Sequence, residues 1–199
     1  GVYLVGATPL AVSHAVWDFL YRLGYRDFFP GEHWEVVPHV AQPRIAIDTF
    51  QKPAFYGRRI WYGFGNWPGM GADKAAWDAR NRLASGLSIN SGHAWDGIYK
   101  DNKAAFEAHP EYLMSKKPVK FCVSNPGLRQ LIVNWALARF AENPDADSIS
   151  LEPSDGDGWT NADSACPDGK VYKSVTDRVV TLANQVAEAV NDKYPGKYV

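Results

Sequence analysis

The sequence predicts an α/β protein, and three observations carry that expectation. Strand-like and helix-like segments alternate along most of the chain with short links, the rhythm of a parallel sheet or barrel. The helix-like segments carry start and stop signals: Thr8 before Pro9, Asn125 before Pro126, Ser174 ahead of Asp177, and Gly24 after the first apolar stripe. Three strand-like segments set large apolar residues against small polar ones, with Leu87, Ile89, Phe121, Val123, Ile149 and Leu151 on one side.

Taken in order, "VYLVG" reads as a strand. The helix from Pro9 then repeats Val12, Val16, Phe19, Leu20 and Leu23 at helical spacing, and "YRDFFP" follows as a short strand. "EVVPHVAQPRIAIDTFQKPAF" reads as extended chain broken by prolines, and Pro43 to Pro53 mark a seam. Beyond it, "FYGRRIWY", "LSINSGHAW", "VKFCVSNP" and "SISLEPSDG" read as strands. "DKAAWDARNRLASG", "NKAAFEAHPEYL", "NPGLRQLIVNWALARFAENP" and "SVTDRVVTLANQVAEAVNDKYPG" read as helices or helix plus turn. Leu128, Leu131, Ile132 and Trp135 fall on one face of the third of these helices. Val175, Val179, Leu182, Val186 and Val190 fall on one face of the last.

These are about four β/α units, where a complete (β/α)₈ barrel needs about 250 residues. The expected architecture is therefore the first half of such a barrel over residues 53–199, preceded over residues 1–52 by the end of a small α/β domain. The chain, which opens on Gly1 within a strand-like segment, is expected to be a fragment of a longer protein. A small open sheet complete in itself is the other arrangement that fits.

Composition narrows the function classes. The formal net charge is -1, which offers no electrostatic case for nucleic acid or an anionic membrane. No apolar run approaches the roughly 18 residues of a membrane span, and no signal peptide is visible. Two cysteines, Cys122 and Cys166, are too few for a disulfide scaffold or a cysteine zinc cage. One bridge and two free thiols both remain open. No phosphate loop and no G-x-S-x-G elbow is present, and no cofactor is expected. The dense "DGDG" fails as a calcium loop, because Trp159 occupies the third ligand place.

Aromatic residues make up 14% of the chain, including eight Trp. They either fill a large aromatic core or stack on sugar rings in a cleft.

In a β/α barrel the apolar side of each strand meets the helices, and the chemistry gathers at the C-terminal strand ends. Those exits are polar here. Arg58, Arg59, Trp61 and Tyr62 leave the first strand, and Asn90, His93, Trp95 and Asp96 leave the second. Ser124 and Asn125 leave the third, and Glu152, Asp155 and Asp157 leave the fourth. Carboxylates beside His, Asn, Arg and Trp suit glycoside chemistry: one carboxylic acid protonates the leaving oxygen and a second carboxylate serves as base or nucleophile. The expected catalytic residues are Asp155 and Glu152. Substrate binding falls to His93, Trp95, Asn90, Arg58, Asn125 and Trp159. Each has a structural reading as well: Asn125 as a helix cap, His93 as a loop residue, Arg58 as a surface ion-pair partner, and Asp157 as a turn residue.

"AVWDFLYRLGYRDFFPGEHWEVVP", "HPEYL", "FCVSNPGLRQL" and "ISLEPSDGDGW" together resemble an uncharacterised bacterial domain-of-unknown-function family over nearly the whole chain. Its architecture is similar to that of alpha-glucuronidases and beta-N-acetylhexosaminidases, in which a small α/β domain precedes a (β/α)₈ barrel. Asp155 and Trp159 match the family's Asp-Gly…Trp motif, His93 and Trp95 its Gly-His-x-Trp stretch, and Asn125 and Pro126 its Asn-Pro motif. The resemblance implies a glycosidase with a carbohydrate partner, an acid at Glu152 or Asp155, and an extracellular or periplasmic setting. A non-catalytic carbohydrate-binding barrel is the alternative. The family often carries a run of cysteines after the Trp, whereas "GWTNADSAC" keeps only Cys166. That departure argues against a cysteine cluster, while a single Cys122–Cys166 bridge and two free thiols both stay open.

Overall fold

The computed structural model describes residues 1–60, 67–160 and 166–199. The chain divides into two compact units, Gly1–Leu87 and Ser88–Val199.

In the first unit, α1 (Pro9–Arg22) starts as its sequence signals dictate. Thr8 Oγ1 accepts the Ala11 N–H at 3.1 Å, and Pro9 occupies the first turn, where its missing N–H costs nothing. Gly24 ends the helix region at φ +101°, a left-handed conformation that favours glycine. Short antiparallel ladders follow: β1 (Arg26–Asp27) with β2 (Glu35–Val36), and β3 (Gly57–Arg58) with β4 (Ala84–Ser85). Residues 2–6, expected as a strand, form none and are largely exposed.

Between β3 and β4 runs α2 (Met70–Arg80), which packs against α1. The Trp77 indole N–H and the Asn81 side-chain amide both donate to the Asp27 backbone carbonyl at 3.0 Å. Arg80 meets the buried Asp27 carboxylate at 3.0 Å. These ties hold residues 57–85 in the first unit, although the sequence rhythm groups them with the β/α units that follow. Trp61 and Tyr62 lie outside the described residues.

The second unit is built on two long helices, α5 (Pro126–Glu142) and α7 (Val175–Lys193), packed on each other. Leu128, Ile132, Val133, Ala136 and Phe140 from α5 share one core with Leu182, Val186 and Val190 from α7. The α7 stripe matches its sequence periodicity. On α5, Leu131 and Trp135 are only partly buried, because the buried face turns towards Val133, Ala136 and Phe140.

Both helices have side-chain caps. Ser174 Oγ accepts from Asp177 N at 3.0 Å. Asn125 Oδ1 accepts from Gly127 N at 2.9 Å and Leu128 N at 3.2 Å. Asn125→Ala should therefore lower stability by about 1 kcal/mol, read as a shift of the urea midpoint at constant slope.

The short α3 (Trp95–Asp101) and α4 (Lys103–Ala108) bring Trp95, Ile98 and Phe106 into the same core. A hairpin of β5 (Leu113–Lys116) and β6 (Val119–Phe121) follows. Only Leu113 of its first strand falls in the segment expected as helix or helix plus turn, and the strand forms because β6 offers it an edge. The chain then passes through α5, an extended segment, the short α6 (Asp168–Val171) and α7.

Two extended segments, 88–94 and 147–152, run parallel beside each other. Serine side chains join them where a regular ladder would use backbone alone. Asn90 N donates to Ser148 Oγ at 2.6 Å, Ser148 Oγ to Ser88 O at 3.1 Å, and Ser150 Oγ to Gly92 O at 2.6 Å. A parallel bridge joins His93 to Glu152, with Ala94 N donating to Glu152 O at 2.9 Å. On the other edge, Ile149 N donates to Tyr198 O at 3.1 Å, and Tyr198 N to Asp147 O at 2.9 Å. Ile149 and Leu151 are buried in the helix-backed core, as the alternation requires. Ser148 and Ser150 are buried as well, their hydroxyls spent on the neighbouring segment.

Candidate functional site

The two parallel segments end together, and the polar residues collect at their exits. His93 and Glu152 are bridged through the backbone there, so the chain beyond each is delivered to the same place. Glu152 itself is exposed. Past Glu152 the chain turns back over His93. The ring Nδ1 lies 3.0 Å from Pro153 O, and Nε2 lies 3.1 Å from Asp155 Oδ2. Both ring nitrogens face acceptors, and which of them donates depends on the tautomer. The Asp155 side chain is 90% exposed and that of His93 51%. Screening by water makes this pair a device for orientation more than for stability.

The loop after Asp155 is drawn down by groups the sequence reading did not select. Lys120, on β6, is 1% exposed. Its ammonium donates to the Ser154 carbonyl, approaches the Asp155 carbonyl at 3.4 Å, and sits 4.9 Å from the centroid of the Trp159 ring. Burial pushes the Lys120 pKa down, opposed by the negative charges of Asp155, Asp96 and Asp157. Ser154 is buried, and its hydroxyl donates to the Asp96 carboxylate in a short hydrogen bond. Lys120 did carry a signal. In "VKFCVS" it falls on the side of Cys122 and Ser124, a cation on the polar face of an apolar strand.

Beyond β6 the chain is anchored covalently. Cys122 and Cys166 form a disulfide with a Cα–Cα distance of 5.6 Å. Asp168, fully buried, accepts from Val123 N at 3.0 Å and Ser124 N at 2.8 Å. Cys122, Cys166 and Asp168 bring potential metal-ligand atoms within 4.8 Å of one another. Both sulfurs are already consumed by the bridge and the carboxylate is committed to backbone amides, so the group serves as a staple. The bridge spans a sequence separation of 44. Replacing both cysteines by serine should cost about 2–4 kcal/mol, chiefly through the unfolded chain. Chemical denaturation of the oxidised protein and the variant would measure it.

The other expected site residues are placed differently from one another. Trp95 is fully buried, its indole N–H donating to Leu151 O at 2.9 Å and its ring stacked on Phe121 at 4.5 Å. It is a core residue beneath the exits and presents no face to a ligand. Trp159 is partly buried, edge-on to Trp95 at 5.6 Å and under the Lys120 ammonium. Asn90 is exposed and lies within the 88–94 segment, its backbone N–H bound to Ser148. The Asn125 side chain is engaged as the α5 cap. Arg58 belongs to the first unit, where its guanidinium donates to Arg82 O at 3.1 Å and Phe55 O at 3.5 Å. Asp157 sits between Gly156 at φ +81° and Gly158 at φ +98°, in the turn.

The second unit is thus mixed helix and strand, with acids gathered where the two parallel-bridged segments end. Residues 29–199 match the family model described as Domain of unknown function (DUF4838), and the chain belongs to that family. No curated protein and no solved structure matches it. Among the described residues, no helix is long and apolar enough to cross a membrane.

Proposed function

We propose that this chain is part of a glycoside hydrolase: the end of a small α/β domain and the first half of a (β/α)₈ barrel acting on a polysaccharide or glycan. The observation that carries the reading is the His93–Asp155 contact at 3.1 Å, made where two parallel segments exit side by side. Strand exits are where β/α folds assemble their chemistry. Asp155 or Glu152 protonates the glycosidic oxygen, and a second carboxylate, on a strand beyond this chain, acts as base or nucleophile. The likeness to alpha-glucuronidases and beta-N-acetylhexosaminidases makes a uronic acid or N-acetyl sugar the first substrate class to try. A structural disulfide suits an oxidising compartment, in keeping with an extracellular or periplasmic setting.

The alternative, a non-catalytic carbohydrate-binding barrel, needs open aromatic faces at the rim. Among the described aromatics of the Glu152–Trp159 side, Trp95 is enclosed and Trp159 is partly buried under the Lys120 ammonium, which supports the catalytic reading. A glycan-substrate screen on the full-length protein tests it. Hydrolysis that survives intact in both Asp155→Asn and Glu152→Gln, on every substrate cleaved, would sink the proposal.

A further inference from the structure

We propose that Lys120 is the positioning residue of this site, an internal cation around which the Ser154–Trp159 loop folds so that Asp155 reaches His93. Its link to catalysis rests on the glycosidase reading; its structural role does not. The acid-rich "SDGDGW" has the composition of a cation-binding loop without the ligand spacing of one. In the folded chain the place of the cation is taken by an ammonium from β6.

Four observations converge. First, the ammonium is bound as an ion would be, by the Ser154 and Asp155 carbonyls and the face of Trp159. Second, Asp155, Asp96 and Asp157 act on it electrostatically and oppose the effect of its burial. Third, the loop is pressed onto the hairpin. A Cβ at Gly158 would meet Ser115 at 3.2 Å and the Lys120 stem at 3.4 Å, and one at Gly156 would meet Pro118 at 3.5 Å. Fourth, the loop is held at its start by the backbone bridge at Glu152, and Lys120 grips it beyond that anchor. An amine that is 1% exposed carries a desolvation cost that an apolar side chain of similar shape would avoid. The carbonyls, the indole and the acids offset that cost, and the result is a loop whose Asp155 backbone and side chain are held at once.

The test is made on the full chain. Lys120→Met keeps most of the stem and removes the charge. Hydrogen exchange at amides 154–160 should speed up by about tenfold or more, as expected when charge-assisted hydrogen bonds are lost. Exchange within α5 and α7 should not change. In the wild type, Asp155→Asn should shift the His93 ring ¹⁵N resonances; in the Lys120→Met background the same substitution should leave them unmoved. Lys120→Ala should regain slow loop exchange with propylammonium and not with propanol, which separates charge from volume. If the variants do not fold, the wild type still decides. An ¹⁵N-lysine spectrum must show one slowly exchanging ammonium signal displaced by the Trp159 ring, and its absence overturns the proposal. Unchanged loop exchange in Lys120→Met overturns it, and so does loosening that spreads equally through α5 and α7. A full-length protein that cleaves no glycan defeats the glycosidase reading and leaves these outcomes standing.

Discussion

On the proposed glycosidase reading, Asp155→Asn should lower glycan turnover by about 10²- to 10⁴-fold, the usual worth of a positioned general acid or base. The substitution is nearly isosteric and keeps an oxygen beside His93 Nε2, now 3.1 Å from Asp155 Oδ2. The loss should therefore appear in kcat with little change in KM. Leaving-group chemistry assigns the role. A variant that lacks the general acid recovers most of its rate on a nitrophenyl glycoside, whose leaving oxygen needs no proton. A variant that lacks a nucleophile or base does not. Running Asp155→Asn and Glu152→Gln in parallel on the two kinds of substrate identifies the acid. Equal, modest losses on both would make the exit acids structural.

Trp95→Ala should destabilise the second unit by about 3–5 kcal/mol, the range for deleting a fully enclosed large aromatic. The indole is 0% exposed, stacks on Phe121 at 4.5 Å and lies 5.6 Å from the Trp159 ring. Trp95→Phe should cost less, mostly through the Leu151 carbonyl left without its 2.9 Å donor. A ligand platform would behave in the opposite way, with the Phe variant stable and weakened only in glycan binding. Thermal unfolding of the two variants beside a glycan-binding assay distinguishes them.

Trp95 also shows where sequence reasoning reaches its limit. It follows His93 closely at an exit, and tryptophan suits both a sugar cleft and a core. Which of these it serves depends on whether Phe121 and Leu151, distant in the chain, come to lie against it. Lys120 makes the same point from the other direction. Its place on the polar side of β6 was legible, but its partner carbonyl is 34 residues away. The grouping of residues 57–85 with the first unit likewise rests on bonds from α2 to Asp27 across 50 residues or more. No local periodicity encodes those ties.

By itself the sequence determined what short-range physics controls. Thr8, Asn125 and Ser174 cap their helices because a side-chain oxygen two or three residues upstream satisfies an otherwise orphaned N–H. The stripe on α7 and the alternation of Ile149 and Leu151 against Ser148 and Ser150 follow from helix and strand periods, and both appear in the fold. The acid-rich exit after Leu151 was visible for the same reason. Only the tertiary structure decided the rest: that β5 and β6 pair, that Cys122 meets Cys166, that Trp95 goes inside, and that a lysine from the hairpin enters the acidic loop. Each depends on two distant segments excluding water from the same place, and the strength of that exclusion is a property of the packed chain rather than of either segment.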